Sequence, residues 1–479
     1  MLRSTNGATQ LPHRLVPLSG LDATFLYLEA AGTPMHVGSL LRLERPRGRR
    51  DFRRSLIAHL AERLPRAAAL RRTLEPAPLD IGHPLWREGS EIDLEQHVIE
   101  RRVRAPGGDK QLFDLVAALH AEPLPRERPL WQFCVIDGLA DGSLALHTKI
   151  HHALLDGQGG VALAQALLDL APRGAPTRAR ARIATEHDDR LRRRDVATVA
   201  ARSTINAFAR LIQAIPAGVK MAREAVGNAR EIATNLRDSV LVAPRTPFNG
   251  QVGPHRSYAT ASLPMADVKA LAQRAGASLN DVVLACCAGA LRKLLAKRGE
   301  LPDQPLVAAM PVSLRSAGDG TSNNQVSMTQ CPLPTHIADA RERLAAIRAA
   351  TAQIKQRVAT FRELIPQDFP GFAAPVWASG LSRLWARGRV AERLPPLGNL
   401  VISNVPGPPV PLYIAGARIV HNHPVSIVTH GLGLNVTVNG YAEWLEFGVL
   451  ACRDALPDAR PLARGIERAF NELSRRIDA

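Results

Sequence analysis

The stretch "KIHHALLDGQGG", residues 149–160, decides how the chain reads. Ahead of it, "SLALHTKI" has the composition of a strand; just after it begins "VALAQALLDLA", which reads as a helix. Between them Asp156-Gly157 and Gly159-Gly160 mark a tight turn, because glycine adopts backbone angles that other residues avoid. The adjacent His151 and His152 therefore fall where a strand gives way to a loop, a usual place for chemistry. Chance, a metal site and acid–base work are the competing readings. Adjacent side chains diverge and so ligate one ion poorly, and no Cys/His cluster stands nearby to supply a third ligand. Acid–base chemistry leads, and neither a metal nor another cofactor is expected.

Working outward, 479 residues exceed what one hydrophobic core serves, so two domains of roughly 170 to 230 residues are expected. The five cysteines show no ligand spacing and read as small buried residues in a reducing compartment. The first twenty residues lack the apolar core of a signal peptide, and "VVLACCAGAL" (282–291) stops at Arg292, too short to span a bilayer. A cytoplasmic chain without a membrane span is the expectation.

The formal charge of +17 is unevenly placed. Residues 173–245 hold 15 Lys or Arg against 7 Asp or Glu, about half the excess. No aromatic residue interleaves "RARARIATEHDDRLRRR", and no helix-turn-helix or zinc-finger spacing appears, so nucleic acid is not an expected partner. Anionic lipid, a phosphorylated ligand or a plain solvated surface remain.

Residues 20–170 alternate strand-like and helix-like segments: "MHVGSLLRLE", "DFRRSLIAHLAERL", "DKQLFDLVAALHAE", "LWQFCVIDGL", "LALHTKI". Alternation resumes from about 255, with helices "MADVKALAQRAG", "NDVVLACCAGALRKLLAKRG" and "DARERLAAIRAATAQIKQRV", and strands "PLVAAMPVSL" and "LGNLVISNV". Strands "GLNVTV" and "WLEFGVLA" flank Asn439-Gly440, a hairpin-turn signal. In the linker Ile205, Phe208, Ile212, Ile215 and Val219 recur at helical spacing, with Pro216 as a kink. The division is an N-terminal half (1–172), a basic, partly helical linker (173–250) and a C-terminal half (251–479), both halves α/β.

"PLSGLDATFLYLEAAGTPMHVGSL", "RPLW", "HHALLDGQGG", "SLNDVVLA", "MPVSLR", "SNVPGP" and "GYAEWLEFGV" resemble, in this order, the bacterial wax ester synthase/diacylglycerol acyltransferase family. HH-x3-DG alone indicates only the wider CoA-dependent acyltransferases; the other segments are more specific. The resemblance covers residues 17–458 apart from most of the linker. It implies two chloramphenicol-acetyltransferase-like α/β domains, each a mixed sheet with helices, and an active-site channel between them. It also implies transfer from fatty acyl-CoA, a co-substrate, to diacylglycerol or a long-chain alcohol. By resemblance His152 is the general base and His151 a packing or hydrogen-bonding neighbour. Asp156 either orients His152 or, as preferred here, pairs with an arginine to hold the loop, with Gly157 serving the turn.

"SLND" also reads as a capping box with Ser278 as N-cap, which accounts for Asp281. It leaves Asn280 unexplained, so a carboxamide that holds the oxyanion stands beside a plain helix-start residue. Glu29 either helps organise the site or is simply a paired carboxylate. Trp131 is grouped with Ser403 and Asn404 as channel lining, although a buried strand anchor explains Trp131 and turn chemistry explains the other two. A non-catalytic lipid-binding protein and an acyltransferase for a small acceptor are the alternatives. Either lipid reading suits the basic linker as a peripheral contact with an anionic membrane surface or lipid droplet.

Overall fold

The computed structural model describes residues 15–30, 32–46, 51–76, 83–154, 159–172, 182–183, 196, 198–199, 241–313, 326–362 and 394–479. Asp156, Gly157 and the expected linker helix lie outside these residues.

Twelve strands form the two main sheets. From the first half come β1 (His36–Leu43), β2 (Val98–Arg102), β3 (Trp131–Asp137) and β4 (Leu144–His151). The second half supplies β5 (Arg256–Pro264), β6 (Leu306–Ser313), β7 (Val326–Leu333), β8 (Leu400–Val405), β9 (Tyr413–Ile414), β10 (Ala417–Val425), β11 (Leu434–Tyr441) and β12 (Trp444–Cys452). The helices used below are α1 (Gly20–Leu28), α2 (Asp109–Ala121), α3 (Gly159–Leu167), α4 (Leu279–Arg298), α5 (Ala340–Arg362) and α6 (Arg460–Asp478).

Each sheet is six-stranded and mixed, in the orders β9-β10-β1-β4-β3-β2 and β5-β12-β11-β8-β6-β7. Strands β2 and β3 run parallel, as do β8 with β6 and with β11. The halves interlock, because β9 and β10 of the second half complete the first sheet. In return α2 of the first half packs on β5 of the second sheet. Lys149, the first residue of the deciding stretch, locks this arrangement. Its buried Nζ donates to Leu119 O at 2.8 Å and Glu122 O at 2.9 Å, satisfying carbonyls that the end of α2 would leave orphaned. Burial pushes that ammonium down to about 8.

Helix α4 shows the sequence logic most directly. Ser278 Oγ accepts from Asp281 N at 3.2 Å, and Asp281 Oδ2 accepts from Ser278 N at 2.8 Å, a reciprocal cap. Gly299 ends the helix at φ 70°, a left-handed position that glycine takes without a Cβ clash. Between these ends an unbroken run from Asp281 to Leu291 is buried, so this part of the helix is enclosed on all sides, while its last turns are exposed on one face. Leu284, Cys287 and Leu291 are buried as its periodicity implies, whereas Leu294 is only half-buried. All five cysteines are free and buried.

One turn differs from expectation. Asn439-Gly440 lies inside β11, paired with Glu446 and Leu445, and the chain reverses at Ala442 and Glu443 instead. The glycine answers to packing: a Cβ on Gly440 would stand 3.3 Å from Met265 Cε. The neighbouring Gly407 lies closer still, with Gly440 O 1.9 Å from where its Cβ would be.

Candidate active site

His151 ends β4, and His152 opens a short 3-10 turn, so the two rings leave the backbone in different directions. His151 is 1 % exposed. Its Nδ1 accepts from Ala153 N at 3.1 Å, which places the ring proton on Nε2, 3.4 Å from Glu29 Oε1. His152 differs. Its backbone N–H donates to Met35 O at 2.8 Å, and its ring stacks on Phe25 at 3.8 Å between centroids. Its Nδ1 is sealed from solvent without a partner. Burial pushes the His152 imidazole down to about 4, so the ring is neutral throughout the physiological range.

Glu29 organises what surrounds the pair. It caps α1, with its N–H donating to Phe25 O at 3.2 Å, and its carboxylate gathers four groups. Met35 N donates at 3.2 Å and Arg126 Nη2 at 2.9 Å, while His36 Nε2 and His151 Nε2 lie 3.5 and 3.4 Å away. Burial alone would raise its carboxyl, but the bonds from His151, His36 and Arg126 outweigh it and hold the group well below the usual carboxylate range. Glu29 grips the N–H of Met35 while His152 holds its carbonyl, so the carboxylate fixes the backbone on which the second histidine rests.

Asn280 and Asn404, far apart in sequence, meet where α4 starts and β8 ends: Asn404 Nδ2 donates to Asn280 Oδ1 at 3.4 Å. That contact leaves the Asn280 amide hydrogens free to donate elsewhere. Asp281 turns away into the cap, where Thr351 Oγ1 adds a bond at 2.7 Å. Ser403 lines a cleft of ≈ 440 Å³ between the halves, together with Ser39 and Thr148 of the first sheet and Thr437 of the second. Ile150 and Gly160 line it too, and Leu163 and Leu167 of α3, with Leu168 just beyond its end, supply an apolar wall.

Trp131 is placed otherwise than its grouping as channel lining implies. It is 1 % exposed, its Nε1 donates to Leu70 O at 2.9 Å and its ring stacks on His97 at 4.3 Å. An indole enclosed in this way anchors the first core. Sequence reading did not single out Phe25, Met35, His36 or Arg126, although the first three lie in the segment "PLSGLDATFLYLEAAGTPMHVGSL" that carries the resemblance.

Residues 18–283 match the model of the wax ester synthase/diacylglycerol acyltransferase catalytic domain, and residues 322–474 that of the family's C-terminal domain. A Mycobacterium tuberculosis protein bearing the name diacylglycerol O-acyltransferase is 35% identical over 468 residues, 96% of this chain and all of that one. A second from that organism is 33% identical over 466 residues, covering 95% of this chain and 98% of its own. The solved wax ester synthase/diacylglycerol acyltransferase of Marinobacter aquaeolei VT8 superposes with a TM-score of 0.70 at 30% identity, over 97% of this chain and 100% of that one. The first condensation domain of the calcium-dependent antibiotic synthetase, at 16% identity and a TM-score of 0.52, shares the two-domain acyltransferase fold over 97% of each chain. The chain belongs to the wax ester synthase/diacylglycerol acyltransferase family.

Proposed function

We propose that the protein transfers a long-chain acyl group from its CoA thioester directly to the hydroxyl of diacylglycerol, of a long-chain alcohol, or of both. The observation that carries this is the split between the two histidines. His151 has Nδ1 bonded to Ala153 N and Nε2 3.4 Å from the Glu29 carboxylate, whereas His152 is neutral, has Nδ1 sealed and lies between Ile150 and Gly160, which line the cleft.

In the proposed cycle His152 Nε2 takes the acceptor's hydroxyl proton as the oxygen bonds to the thioester carbon. The tetrahedral oxyanion accepts a hydrogen bond from the Asn280 carboxamide, its oxygen side steadied by Asn404. Collapse breaks the C–S bond, and the imidazolium returns the proton to the departing CoA thiolate. An imidazole held down to about 4 is a weak base but, once protonated, a strong acid toward that thiolate. Proton and acyl group both balance without an acyl-enzyme, so no further nucleophile or cofactor is needed. The apolar wall of α3 suits long acyl chains.

Peripheral contact with anionic lipid belongs to the same reading and is supported by the basic run 173–194. Among the described residues no helix is long and apolar enough to cross a membrane. Val242, Met328 and Leu397 are exposed around Gln330, which ties Leu241 to Leu397. The test is to incubate purified protein with palmitoyl-CoA and either hexadecanol or dioleoylglycerol, resolving lipid products and free CoA. Ester formed in step with CoA release supports the proposal. Lipid bound without CoA release would favour a non-catalytic lipid carrier.

A further inference from the structure

Strand β10 is a partition between two clefts. Side chains alternate along it, so Asn422 and Pro424 face the cleft lined by Ser403, while His421 and His423 face a second one of ≈ 460 Å³ bounded by α2, β5 and α6. Behind these two rings lies Glu446 of β12, whose side chain has 0% exposure. His421 Nδ1 lies 2.8 Å from Glu446 Oε1, and His423 Nε2 lies 2.9 Å from Oε2. Ser262 Oγ of β5 donates to the same carboxylate. Strands of different sheets come this close because of Gly448, whose Cβ would stand 1.7 Å from Pro424 O. Any side chain there would push β10 off β12.

We propose that His421, His423 and Glu446 bind a Zn²⁺-like divalent cation that ties the first sheet to the second. A buried carboxylate calls for a compensating charge or a metal. Among the described residues the only chargeable donors touching Glu446 are these two imidazoles. Neutral, they supply hydrogen bonds but no charge; one imidazolium would compensate the carboxylate, whereas a cation held by all three residues would compensate it and fix both rings, which stack 5.5 Å apart.

Geometry agrees. Ligand atoms of all three residues lie within 4.8 Å of one another. Zinc bonds of about 2.0–2.2 Å put tetrahedral neighbours roughly 3.3 Å apart, so the two His–Glu contacts need open by only about half an ångström. Two imidazoles and one carboxylate suit zinc rather than magnesium or calcium, which prefer all-oxygen shells. The cleft supplies the route of entry and a fourth position beside the Ser262 hydroxyl. Three of its four basic residues are paired with acids, Arg42 with Asp141 at 2.9 Å, Lys110 with Asp114 at 3.1 Å and Arg460 with Asp458 at 2.7 Å, and Glu467 lines the cleft beside the fourth, Arg464.

The test uses the full chain, stripped with EDTA and titrated with Zn²⁺ against a chromophoric chelator, with melting followed in parallel. Expected are one tight equivalent per chain, a melting temperature raised by zinc, and visible absorption of a four-coordinate site with Co²⁺. His421→Ala, at a half-exposed position, should fold, weaken zinc binding at least tenfold and lose the thermal response. His255→Ala, an exposed histidine outside the cluster, should leave both unchanged. Zinc affinity equal in wild type and H421A, or no uptake by wild type, overturns the proposal; because neither readout involves acyl transfer, such a failure leaves the proposed function standing.

Discussion

Replacing Glu29 by Gln removes one negative charge and changes almost nothing in shape. The Gln carbonyl can still accept from Met35 N, now 3.2 Å from Glu29 Oε1, but the attraction for the His151 and His36 rings is lost. Arg126 is 49% exposed, so its arm of the cluster contributes little, and the weight falls on the two buried imidazoles. Charge-assisted bonds of this kind are worth about 1.5–3 kcal/mol, which sets the expected loss of stability. The rate should fall as well, because Met35 O positions the backbone of His152. A displacement of an ångström at a reacting group costs up to about 10²-fold, so a loss between about 10- and 100-fold is expected. Denaturant melts and a thiol-coupled assay of CoA release read the two effects. E29Q with wild-type stability and turnover would refute the role given to this carboxylate.

Asn280→Ala should lower turnover by about 10²–10³-fold with an unchanged melt, as loss of an oxyanion donor does. Asp281→Ala should do the reverse, costing about 0.5–2 kcal/mol at the helix start, or more as Thr351 also loses its partner, with activity measured on the folded fraction. Stability should fall on acidification. Burial holds His97 and His152 down to about 4 and His147 to about 3 from an ordinary 6.5, so the unfolded chain takes up protons that the folded chain refuses. Stability is therefore full above pH 6.5 and declines as pH drops toward 4, by up to about 1.4 kcal/mol per pH unit per group; a flat profile in denaturant titrations would contradict the burial of these rings.

What was legible in the sequence was local. The strand ending at His151, the helix that follows and the cap from Ser278 to Asp281 each rest on neighbours a few residues away, and all three stand in the structure, with Gly159 and Gly160 opening the helix rather than closing the turn. What was missed is long-range. Nothing near residue 29 announces that its carboxylate meets His151 across the sheet, and nothing in "HNHPV" announces that it completes the first half's sheet. Asn439-Gly440 misled for the same reason: the pairing of β11 with β12 runs through it, and it is Gly407 whose backbone nearly touches that of Gly440. The fold reading succeeded through several spaced motifs taken together, since HH-x3-DG alone does not separate this family from its wider group.

The most direct test compares wild type, His152→Ala and His151→Ala, each with palmitoyl-CoA and dioleoylglycerol, following CoA and triacylglycerol under single-turnover conditions. His152→Ala should retain its melting temperature within a few degrees and lose about 10²–10⁴-fold in rate, the usual worth of a general base. His151→Ala should lose stability along with activity, because it empties a buried site bonded to Glu29 and Ala153. Near-normal turnover by His152→Ala, with the chemical step abolished in a well-folded His151→Ala, would contradict the assignment of the base.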